Sequence, residues 1–135
     1  MKRITPQRNP VLLPAAALFG VVLVVFGFFQ APPAEIWSGM YTIFTVEDVL
    51  ITDYIAVAGM GAAFVNAGLV TLASTVILRV WDESPNGATM VTIGLMSGFS
   101  LFGKNIVNMW PIFFGTVLYA LLKREPFSRH VNLAL

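Results

Sequence analysis

The run YIAVAGMGAAFVNAGLVTLASTVILRV occupies residues 54–80, and Arg79 is its only charged residue. A helix needs roughly 20 apolar residues to cross about 30 Å of hydrocarbon. The run therefore predicts a membrane-spanning helix, long enough to tilt. Of the 135 residues of the chain, 57% are hydrophobic and 11% are charged, whereas soluble domains carry about 25% charged residues. This composition argues against a soluble globular domain and excludes a disordered chain.

Three other apolar segments predict further helices. Residues 11–30 form a second full-length candidate, whereas residues 88–103 and 106–122 are short for a crossing. We predict an all-α integral membrane protein with about four hydrophobic helices. The last two form either two thin crossings or a broken, re-entrant hairpin. Between the helices, we expect a segment over 31–53 with a short interfacial helix capped by Thr45, and a tight turn over 81–87.

The charges predict an orientation. Lys and Arg occur in residues 1–10 and 123–135 and at Arg79, whereas residues 31–53 contain acids and no Lys or Arg. By the positive-inside rule, both termini are cytoplasmic and segment 31–53 is extracytoplasmic. Apolar residues return after Pro126, so residues 123–135 are either a cytoplasmic basic segment or the start of a further helix. We therefore expect a homo-oligomer or the remainder of a longer chain as a partner, besides the lipid bilayer.

Several classes of chemistry are excluded by residue counts. The chain has no cysteine and one histidine, which excludes thiolate chemistry and multi-histidine metal sites. No catalytic triad, phosphate-binding loop or buried carboxylate pair is recognisable. We expect no enzyme activity, no cofactor and no metal site. A formal net charge of +1 argues against nucleic acid as a partner.

Small residues recur on the predicted helices. Gly59, Ala63 and Ala67 are four residues apart in the second span, and Gly94 and Gly98 form a GxxxG pattern in the third. Such residues allow helices to approach closely in lipid. We interpret both sets as helix-packing positions.

The run GFSLFGKNIVNMWP, residues 98–111, combines two glycines, a lysine, two asparagines and a proline between two short apolar segments. Discontinuous helices of this kind form substrate sites in transporters. Asn66 adds an amide in the middle of the second span. We predict that Asn66, Lys104, Asn105 and Asn108 line a solute site, and Lys104 and Asn108 would share a helix face if the last helix starts early enough. The alternative is an ordinary extracellular turn with a solvated Lys104 and an inter-helix hydrogen bond at Asn66.

Two stretches, LITDYIAVAGMGAAFVNAG over 50–68 and the run over 98–111, resemble an uncharacterised family of bacterial multi-pass membrane proteins, a domain of unknown function. The resemblance covers roughly residues 50 to 130. It implies an inner-membrane protein of two similar halves, of which this chain supplies one partial repeat. It implies no established activity and no catalytic residue.

A weaker similarity links the chain to small four-span fluoride channels, which carry a Gly-rich helix with an Asn and a Gly-Phe break. Their Thr/Ser-rich phenylalanine motif is missing here. Our leading hypothesis is a transporter or channel component for a small polar or anionic solute. The alternatives are a structural or assembly subunit without transport activity and a fluoride-channel-like oligomer.

Overall fold

The computed structural model describes residues 10–47, 51–82 and 85–135. These residues form α-helices and two single-turn 3-10 helices, with no strand among them. The α-helices are α1 (Leu12–Gln30), α2 (Pro33–Thr45), α3 (Tyr54–Ala58), α4 (Met60–Trp81), α5 (Gly87–Phe99) and α6 (Trp110–Lys123). Two of them, α1 and α4, are long and apolar enough to cross a membrane, and α5 and α6 are shorter apolar helices. The basic N-terminus lies almost wholly outside the described residues.

The two long helices pack closely against each other because glycines face glycines. A methyl group on Gly68 would lie 2.7 Å from the main-chain oxygen of Gly20, and one on Gly27 would lie 2.7 Å from that of Gly61. The earlier glycine of α1 meets the later glycine of α4, so the helices are antiparallel. α4 is mostly buried and α1 mostly exposed, which makes α4 the central helix of the fold.

The prediction of one continuous helix over 54–80 is wrong at Gly59. This residue has φ 85, a conformation open to glycine without steric cost, and it separates α3 from α4. Asp53 caps α3, because its carboxylate accepts hydrogen bonds from the amides of Ile55 at 3.0 Å and Ala56 at 3.2 Å. Of the helix-packing positions predicted in this run, Ala63 and Ala67 are buried in α4, whereas Gly59 is exposed between α3 and α4.

Segment 31–53 contains a helix, but it lies before Thr45 and not after it as predicted. Pro33 occupies its first turn, and Thr45, predicted as its N-cap, is instead the last residue of α2. The Thr45 hydroxyl donates back to the Tyr41 carbonyl at 2.8 Å, inside the helix. Prolines at the start of a helix cost no hydrogen bond, which explains why Pro33 starts α2 rather than only ending α1. Residues 48–50 lie outside the described part of the chain.

α5 starts beside the C-terminal end of α4. Asn86 caps α5 in a reciprocal capping box with Thr89. The Thr89 hydroxyl also donates to the Asp82 carboxylate at 2.6 Å, and both residues are buried. With 13 residues, α5 is about 20 Å long. Gly94 and Gly98, predicted as packing positions, are exposed, and a methyl group on either would meet no described atom within 4 Å.

After residue 109 the chain returns to the C-terminal end of α4. The Trp81 ring packs edge to face against Phe113 of α6, with ring centroids 5.7 Å apart, and against Phe127, with centroids 5.8 Å apart. Beyond Arg124, residues 127–133 form the two 3-10 turns rather than an α-helix. Val131 and Ala134 are buried in the apolar core formed by α4, α5 and the start of α6. The C-terminal segment is therefore part of the core.

We expect Gly68→Ala to lower the free energy of unfolding by about 1–3 kcal/mol, because overpacking at a backbone contact forces the helices apart. The new methyl group would also lie 2.5 Å from a methyl carbon of Val24. The measurement is the melting temperature of the purified protein in detergent. Gly94→Ala is the matched control, since its methyl group meets open space and alanine favours a helix. Equal melting temperatures for the two variants would contradict the glycine contact between α1 and α4.

Candidate functional site

The candidate site is the unwound segment between α5 and α6, residues 100–109. A helix that stops inside a protein leaves main-chain carbonyls without partners, and these need other donors. In this segment, every main-chain carbonyl from Gly98 to Asn105 accepts a hydrogen bond. The donors come from α4, from residues 52–54 and from the segment itself. The main-chain carbonyls over residues 98–105 are therefore all bonded, which distinguishes this part of the break from an irregular loop.

Asn66 of α4 binds two main-chain carbonyls in the first half of the break. Its Nδ2 donates to the carbonyl of Ser100 at 2.8 Å and to the carbonyl of Lys104 at 2.9 Å. The side chain is fully buried. Because an amide nitrogen has two hydrogens, both are used, and the orientation of the amide is fixed by two acceptors. Asn66 Oδ1 has no hydrogen-bond partner among the described residues.

Residues 52–54 bind the middle of the break. The amides of Thr52 and Tyr54 donate to the carbonyls of Phe102 at 3.3 Å and Leu101 at 3.0 Å. The Tyr54 hydroxyl, on a fully buried ring, donates to the carbonyl of Gly103 at 2.8 Å. The break thus lies against the start of α3, at the end of the molecule opposite to Trp81.

Asn105 and Asn108 shape the turn that leads into α6. Asn105 Oδ1 accepts from the amides of Val107 and Asn108, each at 2.8 Å, and Asn108 Oδ1 accepts from the amide of Asn105 at 2.8 Å. Such side-chain bonds replace the missing helical ones at a chain reversal. The remaining Asn105 hydrogens go to the Tyr54 hydroxyl at 3.1 Å and the Ile43 carbonyl at 3.4 Å. Asn108 Nδ2 donates to the Gly103 carbonyl at 2.8 Å.

Lys104 is the cationic residue of the break. Its carbonyl points to Asn66, and its ammonium group donates to the main-chain oxygen of Leu135. The side chain is partly buried. The prediction that Lys104 and Asn108 share a helix face is wrong, because residues 104–109 form turns and α6 begins only at Trp110. A helix cannot form earlier here, since the Asn105 and Asn108 side chains bond to the amides of the turn.

The structure brings Asn66, Lys104, Asn105 and Asn108 together around one segment, although Asn66 is far from the others in sequence. In the described residues, their amide hydrogens donate to protein acceptors, so the arrangement first of all stabilises the break. The described residues bring no group of three or more His, Cys, Asp or Glu side chains together in a way that could hold a metal ion.

Sequence reasoning missed Tyr54, Thr52 and the carbonyl of Ile43. A tyrosine directly after a cap at the start of an apolar run looks like an interfacial residue, and its hydroxyl gives no sign of a distant partner. Main-chain acceptors such as that of Ile43 carry no sequence signal at all. The sequence indicated the importance of this region only through its asparagines, which outnumber the charged residues near the break.

We expect Tyr54→Phe to destabilise the break, because it removes the hydroxyl that bridges Gly103 and Asn105. A lost buried hydrogen bond costs about 1–3 kcal/mol. Hydrogen exchange should accelerate at the amides of residues 101–109, and the melting temperature should fall. Tyr41→Phe is the matched control, because that ring is 68% exposed on α2. Unchanged hydrogen exchange in Tyr54→Phe would contradict the conclusion that the hydroxyl stabilises the break.

Of three comparisons with known proteins, one finds a match. No curated protein and no solved structure matches it. A family model described as "Protein of unknown function (DUF1576)" matches residues 32–135. The match contains α2 to α6, and with them every residue that builds the break. Because the match covers well over half of the sequence, the chain belongs to the DUF1576 family.

Proposed function

We propose that the protein is integral to a membrane and crosses it several times. The support is an apolar surface on both long and short helices: Phe29 on the long helix α1 is 83% exposed, and Leu122 on the shorter helix α6 is 76% exposed. Side chains of this kind need hydrocarbon or a partner around them. A bacterial inner membrane is the location that the family resemblance suggests.

The contacts of Trp81 support the proposed orientation. Trp81 touches Phe127, so Arg79 at the end of α4 and the basic residues of 123–129 lie at the same end of the molecule. The acidic residue Asp53 lies at the other end, next to the break. With positive charge inside, the start of α1 and the basic residues of 123–129 would be cytoplasmic, and the break would lie in the outer half of the membrane, with Leu135 reaching back to it through Lys104.

We further propose that the protein is a transporter or channel component for a small polar or anionic solute. The observation that carries this proposal is the unwound segment 100–109, which ends the short helix α5 against a buried asparagine of the central helix. At membrane depth, non-helical backbone is tolerated where it is buried in protein or lines a water-filled cavity. Transporters place their substrate and ion sites at such broken helices. Lys104 adds the positive charge that would attract an anionic solute.

We expect Lys104→Ala to lower solute flux at least tenfold in vesicles reconstituted with the purified protein. The physical reason is that a charge within a low-dielectric pathway dominates the attraction of an anion. Flux is measured as uptake of labelled small anions and neutral polar solutes. Lys123→Ala is the control, because Lys123 is exposed at the end of α6. Unchanged flux in Lys104→Ala, Asn66→Ala and Asn108→Ala would reject the pathway.

A structural or assembly subunit is the second candidate, and one observation favours it. Gly94 and Gly98 are exposed, one helical turn apart on α5, with open space around both. In lipid, a GxxxG surface allows a second helix to approach closely. A further copy of this chain or the remainder of a longer chain would fill this place, and the pathway would then lie between the two.

For the assembly candidate, we expect Gly94→Leu to dissociate the oligomer, because a large side chain keeps a neighbouring helix away. Oligomer mass is measured in detergent by light scattering. Gly115→Leu is the matched control, since Gly115 on α6 also has no described atom near a methyl position. If Gly94→Leu and wild type have the same mass, α5 is not an assembly surface.

A further inference from the structure

We propose that the break binds a small monovalent cation at Asn66 Oδ1, either a bare alkali ion or an ammonium group. A role for this cation as the ion coupled to transport rests on the proposed function. The binding of the cation does not depend on that function. The inference starts from the one polar atom of Asn66 that the fold leaves without a partner among the described residues.

The hydrogen bonds of Asn66 fix the sign of the ligand. Both amide hydrogens donate to carbonyls, of Ser100 and of Lys104. The opposite orientation of the amide would place its oxygen against these two carbonyl oxygens, which is unfavourable. What remains is an acceptor, fully buried on the central helix. A buried acceptor is stabilised by a donor or a cation and destabilised by an anion. The ligand at Asn66 is therefore a hydrogen-bond donor or a cation and not an anion, although an anionic solute would still be drawn to Lys104.

The end of α5 supports the same sign. Its last helical residue is Phe99, and the next carbonyl, of Ser100, lies 2.8 Å from Asn66 Nδ2. The C-terminal end of a helix carries a partial negative charge. Unwound carbonyls and half-helix C-terminal ends are the groups that coordinate small cations in transporters.

A second polar atom without a described partner, a hydroxyl that can accept or donate, lies in the segment before α3 that bonds to the break. Thr52 Oγ1 is buried and has no partner among the described residues, and the amide of Thr52 donates to Phe102. The hydroxyl and amide oxygens and the carbonyls near the break are uncharged. The nearest described carboxylate along the chain, Asp53, already accepts two amides at the start of α3. Neutral oxygen ligands without a carboxylate suit a monovalent ion and not Ca²⁺ or Mg²⁺, which prefer carboxylates.

The position of Lys104 is compatible with a cation at Asn66. Its carbonyl faces Asn66, but its ammonium group is held by the main-chain oxygen of Leu135. The charge of Lys104 would nevertheless weaken a nearby cation through repulsion. Removing that charge should therefore strengthen cation binding, whereas it would weaken the binding of an anion.

The first test uses the purified wild-type chain in detergent and measures its melting temperature. Na⁺, K⁺ and methylammonium chlorides are titrated against choline chloride at constant ionic strength. We expect a saturable rise of at least about 3 °C with one of the small cations, unchanged when chloride is replaced by gluconate. A response to Na⁺ or K⁺ identifies a bare ion, and one to methylammonium identifies an ammonium group. No rise, or the same rise with choline, overturns the proposal and indicates that water satisfies Asn66.

The second test compares variants by their cation affinity in the same titration. Lys104→Met should bind the cation at least about threefold more tightly, because a like charge is gone. Lys123→Met is the control and should bind like wild type. Asn66→Ala, if it folds by circular dichroism, should lose the response. Weaker binding in Lys104→Met overturns the cation assignment.

The binding test and the flux test fail separately. Cation binding without any solute flux would reject the transport proposal and leave the cation site in place. Flux that is independent of every small cation, with no cation-dependent stabilisation, would reject the cation site and leave transport in place.

Discussion

The two hydrogen bonds from Asn66 to the carbonyls of Ser100 and Lys104 are the contact on which the rest of this structure depends. A chain this apolar has few groups that can satisfy an unwound backbone, and lipid offers none. One amide on the central helix binds the carbonyls of residues 100 and 104, and Tyr54 and Thr52 bind the carbonyls between them. The position of α5, the turn into α6 and the site of Lys104 all follow from this attachment.

The attachment requires that α4 be held in place, and the glycines of α1 provide this. Gly20 and Gly27 meet Gly68 and Gly61 at distances that leave no room for a side chain. Close backbone contact replaces the hydrophobic effect as the source of stability between helices in lipid. Asn66 lies on α4 between Gly61 and Gly68 in sequence, so the level of α4 that holds the break is also the level that packs on α1.

The sequence predicted most of the helices because uninterrupted apolar runs have a direct physical meaning. It also predicted that Asn66 and the residues of 104–108 matter, since amides and a lysine are costly in an apolar chain. It did not predict the hinge at Gly59, because a glycine within an apolar run is equally compatible with a continuous helix. The role of Thr45 was misread because its hydroxyl can bond either forward at a cap or back within a helix. The partners of Asn105 were unpredictable, since one of them is a main-chain oxygen in α2.

The hydrogen-bond pattern separates what stabilises the break from what remains for a ligand. The described hydrogens of Asn66 and Asn105 are bound to protein oxygens, so these amides act as donors to the fold. Of the atoms near the break without a described partner, Asn66 Oδ1 can only accept and the Thr52 hydroxyl can accept or donate, and the ammonium group of Lys104 donates to Leu135. A solute site built from these residues would thus have two sides of opposite sign. Asn66 Oδ1 on α4 would face a donor or a cation, whereas the Lys104 ammonium group, bound to the C-terminal residue Leu135, would face an anion.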